Sequence, residues 1–374
     1  MKPRPHAMTP RKAFTLVEML VVMSIIFILV GLLLVGISAA TTKAYEARIR
    51  SDITNLDNAI GQFRSDYGNL TPPTHLVIAA NYGAAYQAAL NLPNPAVQWM
   101  PQMVLDSQSF LKKMFPRWNP SPNGSNGLPV QSGANYQVIS GSQVLVFLLG
   151  GYAQHGGGNY NFAAAGLGFS DDPTNPFGNP AIAAGGQPTI TYKKPYFDFP
   201  AGKLSNRTTG TPYPALISHE FDPNVGKVSY FPGFLDAYDV PYAYFGSRNG
   251  NDYADLTTGN NKYFSTNGYL PILTTNSLGG GLRVYCSTPS GSFSNTINPY
   301  VDSTNKFVKP NGFQIISAGT DGQYAIKDPT NGKGGFGPGG LLWQPSNNPY
   351  YQQQSTGYGY DDVSNFSSKL LGIP

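Results

Sequence analysis

The sequence predicts an α+β protein: one long N-terminal α-helix, apolar first and then amphipathic, packed on a C-terminal antiparallel β-sheet, with a large loop-rich insertion between. Three observations predict it. From Met19 to Ile37 the only polar side chain is Ser24, and no proline interrupts Phe14 to Tyr67. After Ile37 the pattern becomes amphipathic without a break. From Pro212 onward, short runs of aromatic and β-branched residues alternate with Gly, Pro and Asn; this is strand composition.

The helix comes first. An uncharged run of this length reaches the roughly 20 residues that span a bilayer. Inside hydrocarbon a lone segment must be helical, so that each backbone N–H and C=O is satisfied within it. Beyond it Ala44, Ala47, Ile49, Ile53, Leu56, Ile60, Phe63 and Tyr67 recur mostly three or four apart, a helical stripe. Gly68-Asn69 and then Pro72-Pro73 read as its C-cap and stop. One uninterrupted helix of about 54 residues results, on the order of 80 Å long.

Thr74 to about Gly151 has mixed signals. The Ala-rich stretch Leu76–Leu90 reads as one helix and Met103–Phe115 as another. Ser142–Leu149 is a buried helix or strand, too short to span a membrane. His155 to about Gly210 reads as irregular loop. Strands are expected at Lys227–Phe231, Pro241–Phe245, Leu282–Tyr285, Phe313–Ser317 and Gln323–Ile326, the last two joined by a hairpin turn at Thr320-Asp321-Gly322. The organisation is therefore a leader over 1–13, an apolar helix over 14–40, its amphipathic half and stop over 41–73, an insertion over 74–211, and a sheet domain over 212–374.

Composition narrows the function. Of 374 residues only 12% are charged, which suits an extracytoplasmic, loop-rich protein. The formal charge is +4, but Lys2, Arg4, Arg11 and Lys12 all precede Phe14 and no acid does. Without them the chain is neutral, so the basic balance is a topology signal (leader inside, bulk outside) and gives a nucleic-acid partner no support. The single cysteine, Cys286, forms no intrachain disulfide and reads as a small buried hydrophobe. Catalytic constellations are missing: His219-Glu220 lacks the second His of a zinc helix, and no Gly-x-Ser-x-Gly, phosphate-loop or paired-Cys pattern occurs. Neither an enzyme nor a catalytic residue is expected.

Glu18 is the exception in the N-terminal segment. A carboxylate at the edge of an apolar helix is costly and is a functional candidate whose partner must be sought. The alternative is a hydrated residue at the headgroup level. Ser38-Ala39-Ala40 could also be a signal-peptidase site, but the apolar run exceeds the usual 7–15 residues of a secretory signal.

The basic leader, the small residue Ala13, and Phe14-Thr15-Leu16-Val17-Glu18 entering an apolar helix together resemble the type IV pilin and pseudopilin signature. That resemblance implies cleavage between Ala13 and Phe14 by a prepilin peptidase and N-methylation of Phe14. It implies that Glu18 pairs with the terminal ammonium of a neighbouring subunit. The family usually has Gly where Ala13 stands. Leu235–Tyr242 resembles the Asp-Pro-Trp-Gly-x-Pro-Tyr segment of type II secretion major pseudopilins, with Ala237 and Tyr238 in place of Pro-Trp. Phe313–Gly322 resembles their strand and Ser-x-Gly-x-Asp-Gly turn, and Asp361–Phe366 their closing acidic segment. The resemblance implies a calcium ion at Asp321, Asp361 and Asp362. Without it, Asp321 makes a turn and Asp361-Asp362 cap a short helix at Val363–Leu371.

The expected function is a structural, pilin-like subunit of a type IV pilus or a type II secretion pseudopilus. Its partners would be copies of itself, other pilin-like subunits, the prepilin peptidase, an inner-membrane assembly platform and membrane lipid. It would lie in the bacterial inner membrane as a single-pass protein, N-terminus cytoplasmic and C-terminal domain periplasmic, before entering a filament. The alternative is a membrane-tethered binding module for a glycan or secreted partner that does not assemble.

Overall fold

The computed structural model describes residues 15–91, 100–119, 136–151, 155–156, 159–160, 168–177, 191–204, 231–247, 309, 311–321, 336–337, 340–341 and 363–367. The fold is α+β. Helix α1 is a single α-helix over Leu16–Asp66. By contacts the chain separates into two compact units, Met1–Ala47 and Arg48–Pro374.

In the first unit the large apolar side chains of α1 are exposed: Leu16 is 81% exposed and Phe27 74%. Ser24, the one polar side chain between Met19 and Ile37, donates its Oγ hydroxyl to the Val21 carbonyl at 2.8 Å. It thereby hides its polarity against the helix backbone.

In the second unit Ile49, Ile53, Leu56, Ile60 and Phe63 are at most 3% exposed. Fully burying such a side chain contributes roughly 1.5–3 kcal/mol. The buried stripe starts at Ile49; Ala44 and Ala47 are exposed and Tyr67 is half-buried. α1 stops as the sequence predicts. Gly68 and Asn69 both have positive φ, 63° and 65°. The Asn69 N–H donates to the Arg64 carbonyl at 2.7 Å, and Arg64 Nη2 donates to Asn69 Oδ1 at 2.6 Å.

Leu76–Leu90 is not one helix. Strand β1, His75–Ile78, precedes helix α2, Tyr82–Leu90. The branched and apolar Leu76-Val77-Ile78 pair with strand β2, Gln137–Ser140, in antiparallel register, Leu76 opposite Ile139. Asn81 then caps α2, its Oδ1 accepting from the Ala84 N–H at 3.0 Å. Helix α3 spans Met100–Met114, and Ser107 Oγ on it accepts the Val77 N–H at 2.9 Å, so the edge of β1 is satisfied by a side chain. Ser142–Gly150 forms helix α4, buried along its whole length, rather than a strand.

Strands β3, His155–Gly156, and β4, Asn159–Tyr160, form a short hairpin. Strands β5, Ala243–Gly246, and β6, Phe313–Ser317, pair antiparallel, and β6 also pairs with β9, Val363–Ser364. Strands β7, Phe336–Gly337, and β8, Gly340–Leu341, form another hairpin. Gly319–Asp321 is a single 3-10 turn; Gly322 and the strand expected beyond it lie outside the described residues. One expectation is corrected. Val363–Ser364 is a strand rather than the start of a helix, because Val363 fills the sheet beside Ser317 and is 1% exposed. Gln323–Ile326, Leu282–Tyr285 and Lys227–Tyr230 lie outside the described residues, as does Cys286.

One hydrophobic cluster takes in the stripe of α1, α2 to α4, and the β5–β6–β9 sheet. Glycine is required at Gly246, where a Cβ would stand 1.9 Å from the Pro72 carbonyl oxygen. That approach lets Thr74 Oγ1 accept from the Gly246 N–H at 3.0 Å, while Tyr244 OH donates to the Pro72 carbonyl at 2.7 Å. The chain leaving α1 is thus tied to β5.

Candidate functional site

Two places gather the residues that the sequence singles out. The first is the start of α1. Thr15 is the residue before the helix and Glu18 is its third residue, the spacing of a capping box. Glu18 Oε2 accepts from the Thr15 N–H at 2.8 Å and from Thr15 Oγ1 at 2.9 Å, and the Glu18 N–H donates back to Thr15 Oγ1 at 3.2 Å. The carboxylate sought a partner, and within the chain that partner is Thr15. The signal was legible as Thr-x-x-Glu ahead of an apolar run, but the sequence reading did not use it. Ala13 and Phe14 lie outside the described residues. Downstream, α1 contains the one stretch among the described residues that is long and apolar enough to cross a membrane.

The family model of the prokaryotic N-terminal methylation motif matches residues 8–34. Those residues are a type IV pilin/pseudopilin signature. The motif together with the apolar helix fits membrane anchoring and a precursor of the pilin-like kind, with other pilin-like subunits and a prepilin peptidase as the kinds of partner. No curated protein and no solved structure matches the chain.

The second place is around β6. The three segments that carry the second resemblance meet there. Asp236, fully buried, accepts from Ser317 Oγ at 2.6 Å and from the backbone N–H groups of Tyr238 and Val240 at 2.8 and 3.0 Å. Asn365 Oδ1 accepts the Ile315 N–H at 3.0 Å, and its Nδ2 donates to Asp57 Oδ1 on α1, also at 3.0 Å. Lys203 Nζ donates to the Asp236 carbonyl at 2.8 Å and pairs with Asp239 at 3.0 Å. Tyr242 OH donates to Asp52 Oδ2 at 3.3 Å.

Burial pushes the Asp236 carboxyl up to about 6, against the opposing pull of Ser317, the two N–H groups and Lys203. Burial also raises Asp52 and holds the Tyr242 phenol well above its ordinary value. A carboxylate wrapped in donors and sealed from water braces a fold.

Of the calcium ligands that the resemblance implies, Asp321 closes the 3-10 turn after β6, while Asp361 and Asp362 lie outside the described residues. Among the described residues no group of three or more His, Cys, Asp or Glu could hold a metal ion. His75 is half-buried, and desolvation pushes its imidazole down to about 3. Asp236 as a brace, Lys203 and Ser317 went unnoticed as partners in the sequence. They are 33 and 81 positions from Asp236, and no local pattern joins them.

Proposed function

We propose that this chain is a filament subunit. It is inserted in the bacterial inner membrane through α1, cut between Ala13 and Phe14, methylated on Phe14, and drawn by an assembly platform into a type IV pilus or type II secretion pseudopilus. Its periplasmic part is the second unit, and it performs no catalysis. The observation that carries the reading is the motif over residues 8–34, which runs into an apolar helix whose membrane-length stretch is unburied among the described residues. Exposed apolar surface of this extent marks a membrane or a partner.

Assembly would place the neighbour's Phe14 ammonium against Glu18. An ion pair inside an apolar environment costs far less than either charge alone. Subunits out of register would leave Glu18 unpaired, so the pair favours one stagger. Calcium at Asp321, Asp361 and Asp362 belongs to the same reading. It is supported by the pairing of Val363 with Ser317, because the strand that begins after Asp362 lies beside the one that ends four residues before Asp321. Those carboxylates would hold the ion, and the bound ion would pin the closing segment to the sheet.

The decisive experiment is N-terminal sequencing of the protein from cells with an active peptidase. N-methylphenylalanine from Phe14 is the expected terminus; an uncut chain, or one starting at Thr41, overturns the reading. Glu18→Ala should insert in the membrane normally and fail to enter filaments. For calcium, a raised melting temperature in millimolar calcium that Asp321→Ala abolishes is expected; equal melting with calcium and chelator removes the ion from the proposal.

A further inference from the structure

The second unit has an open groove of about 530 Å³ along one side of α1, within the range of small-ligand sites. Its helix wall is Asn55, Asn58 and Gln62, with Asp52 at the end. These recur three or four apart and so share one face. The opposite wall is Tyr196, Phe197 and Asp198, over a floor that includes Phe234. Tyr196 and Phe197 are half-buried and both line the groove. They are held rigid from behind: Phe197 by Phe199 and Phe234 at 4.5 and 5.6 Å between centroids, Tyr196 by Phe63 at 5.6 Å. The Tyr196 hydroxyl is fixed by donating to Asp66 at 2.7 Å.

The chemistry of the walls selects a ligand class. The described residues lining the groove include two carboxylates and no cation, which disfavours phosphates, sialylated glycans and nucleic acid. Three primary amides line one wall, and each amide both donates and accepts. A ligand with only positive charge has no use for their N–H groups. A polyhydroxylated ring uses them fully: vicinal hydroxyls donate to and accept from amides and donate to carboxylates, while the apolar face of the ring lies on an aromatic side chain.

We infer that the groove formed by Asn55, Asn58 and Gln62 of α1 and the Tyr196–Asp198 wall binds a neutral saccharide. The site is independent of whether the chain assembles.

The test uses the full-length chain in lauryldimethylamine oxide micelles, whose headgroup is not a sugar. Maltotriose, cellotriose and chitotriose are titrated by calorimetry, with saturation-transfer NMR from aromatic protons to the sugar. Saturable binding of at least one is expected. The double variant N58A/Q62A should weaken it roughly tenfold, about the loss of two modest hydrogen bonds. Both positions are exposed on a helix, where Ala is well tolerated, so the variant folds, and an unchanged melting temperature checks this. Glu18→Ala should bind sugar as the wild type does even where assembly fails, which separates this inference from the filament reading. Three results overturn it: no saturable binding of any trisaccharide, an affinity unchanged in N58A/Q62A, or binding of tetralysine in place of the sugars.

Discussion

Between Met19 and Ile37, α1 is apolar around its whole circumference apart from Ser24, and its large side chains are exposed; between Ile49 and Phe63 it alternates apolar and polar residues, and the apolar ones are sealed. The backbone is the same α-helix throughout. A helix that is hydrophobic on every side has no solvent face and must find its whole environment outside its own chain, whereas a striped one needs only a single surface to cover it. The second half receives that cover from its own chain. The first half leaves its large side chains exposed among the described residues, which fits membrane anchoring.

The largest effect that would break this comparison is a core truncation placed in each half. Leu56→Ala, at a fully buried position, should destabilise the second unit by about 2–5 kcal/mol and leave membrane insertion intact. Leu29→Ala, at an exposed one, should leave the melting temperature of the second unit unchanged. Thermal unfolding of both variants in detergent measures this, and equal losses would erase the contrast.

A smaller effect concerns the brace at Asp236. Its carboxyl sits at about 6 in the folded protein against an ordinary 3.8, so the folded state binds the proton more tightly than the unfolded chain. The sign follows from linkage. This contribution to stability is complete below about pH 4 and is lost as pH rises through about 6. A gap of that size corresponds to about 3 kcal/mol. Melting between pH 4 and 7 should show the wild type losing that stability, while Asp236→Asn, which keeps the shape and cannot ionise, should lose roughly one proton's worth less. Identical profiles would remove Asp236 as the source.

The smallest effect lies at the first turn of α1. Thr15→Val removes the hydroxyl that both gives to and takes from Glu18. Amide exchange at Val17 and Glu18, measured in micelles, should quicken by roughly fivefold, the usual consequence of losing a cap. Unchanged exchange would mean that the box is not holding the turn.

How much was legible follows from the range of each signal. The helix stop at Gly68-Asn69 and the stripe from Ile49 were readable because they are local and periodic. Strand β6 was read at its observed bounds because the β-favouring Phe313, Ile315 and Ile316 stand together between loop residues. Leu76–Leu90 misled because its alanines favour helix, while the three apolar residues that become β1 are too few to declare a period. Helix α4 is apolar without a break from Val144 to Leu149, and a run so short and uniform has no period to tell a helix from a strand. The polar groups that tie the sheet together were hidden altogether. Tyr242 and Asp52 are 190 positions apart, and only the tertiary fold introduces them.

Both groups that donate to the Glu18 carboxylate belong to Thr15, a residue beyond the Ala13–Phe14 junction. Scission at that junction would therefore free an amine without disturbing the first turn, whose geometry is written entirely in residues that stay. A precursor and its trimmed product would enter the lipid with one and the same helical tip, and would differ there in electrical character alone.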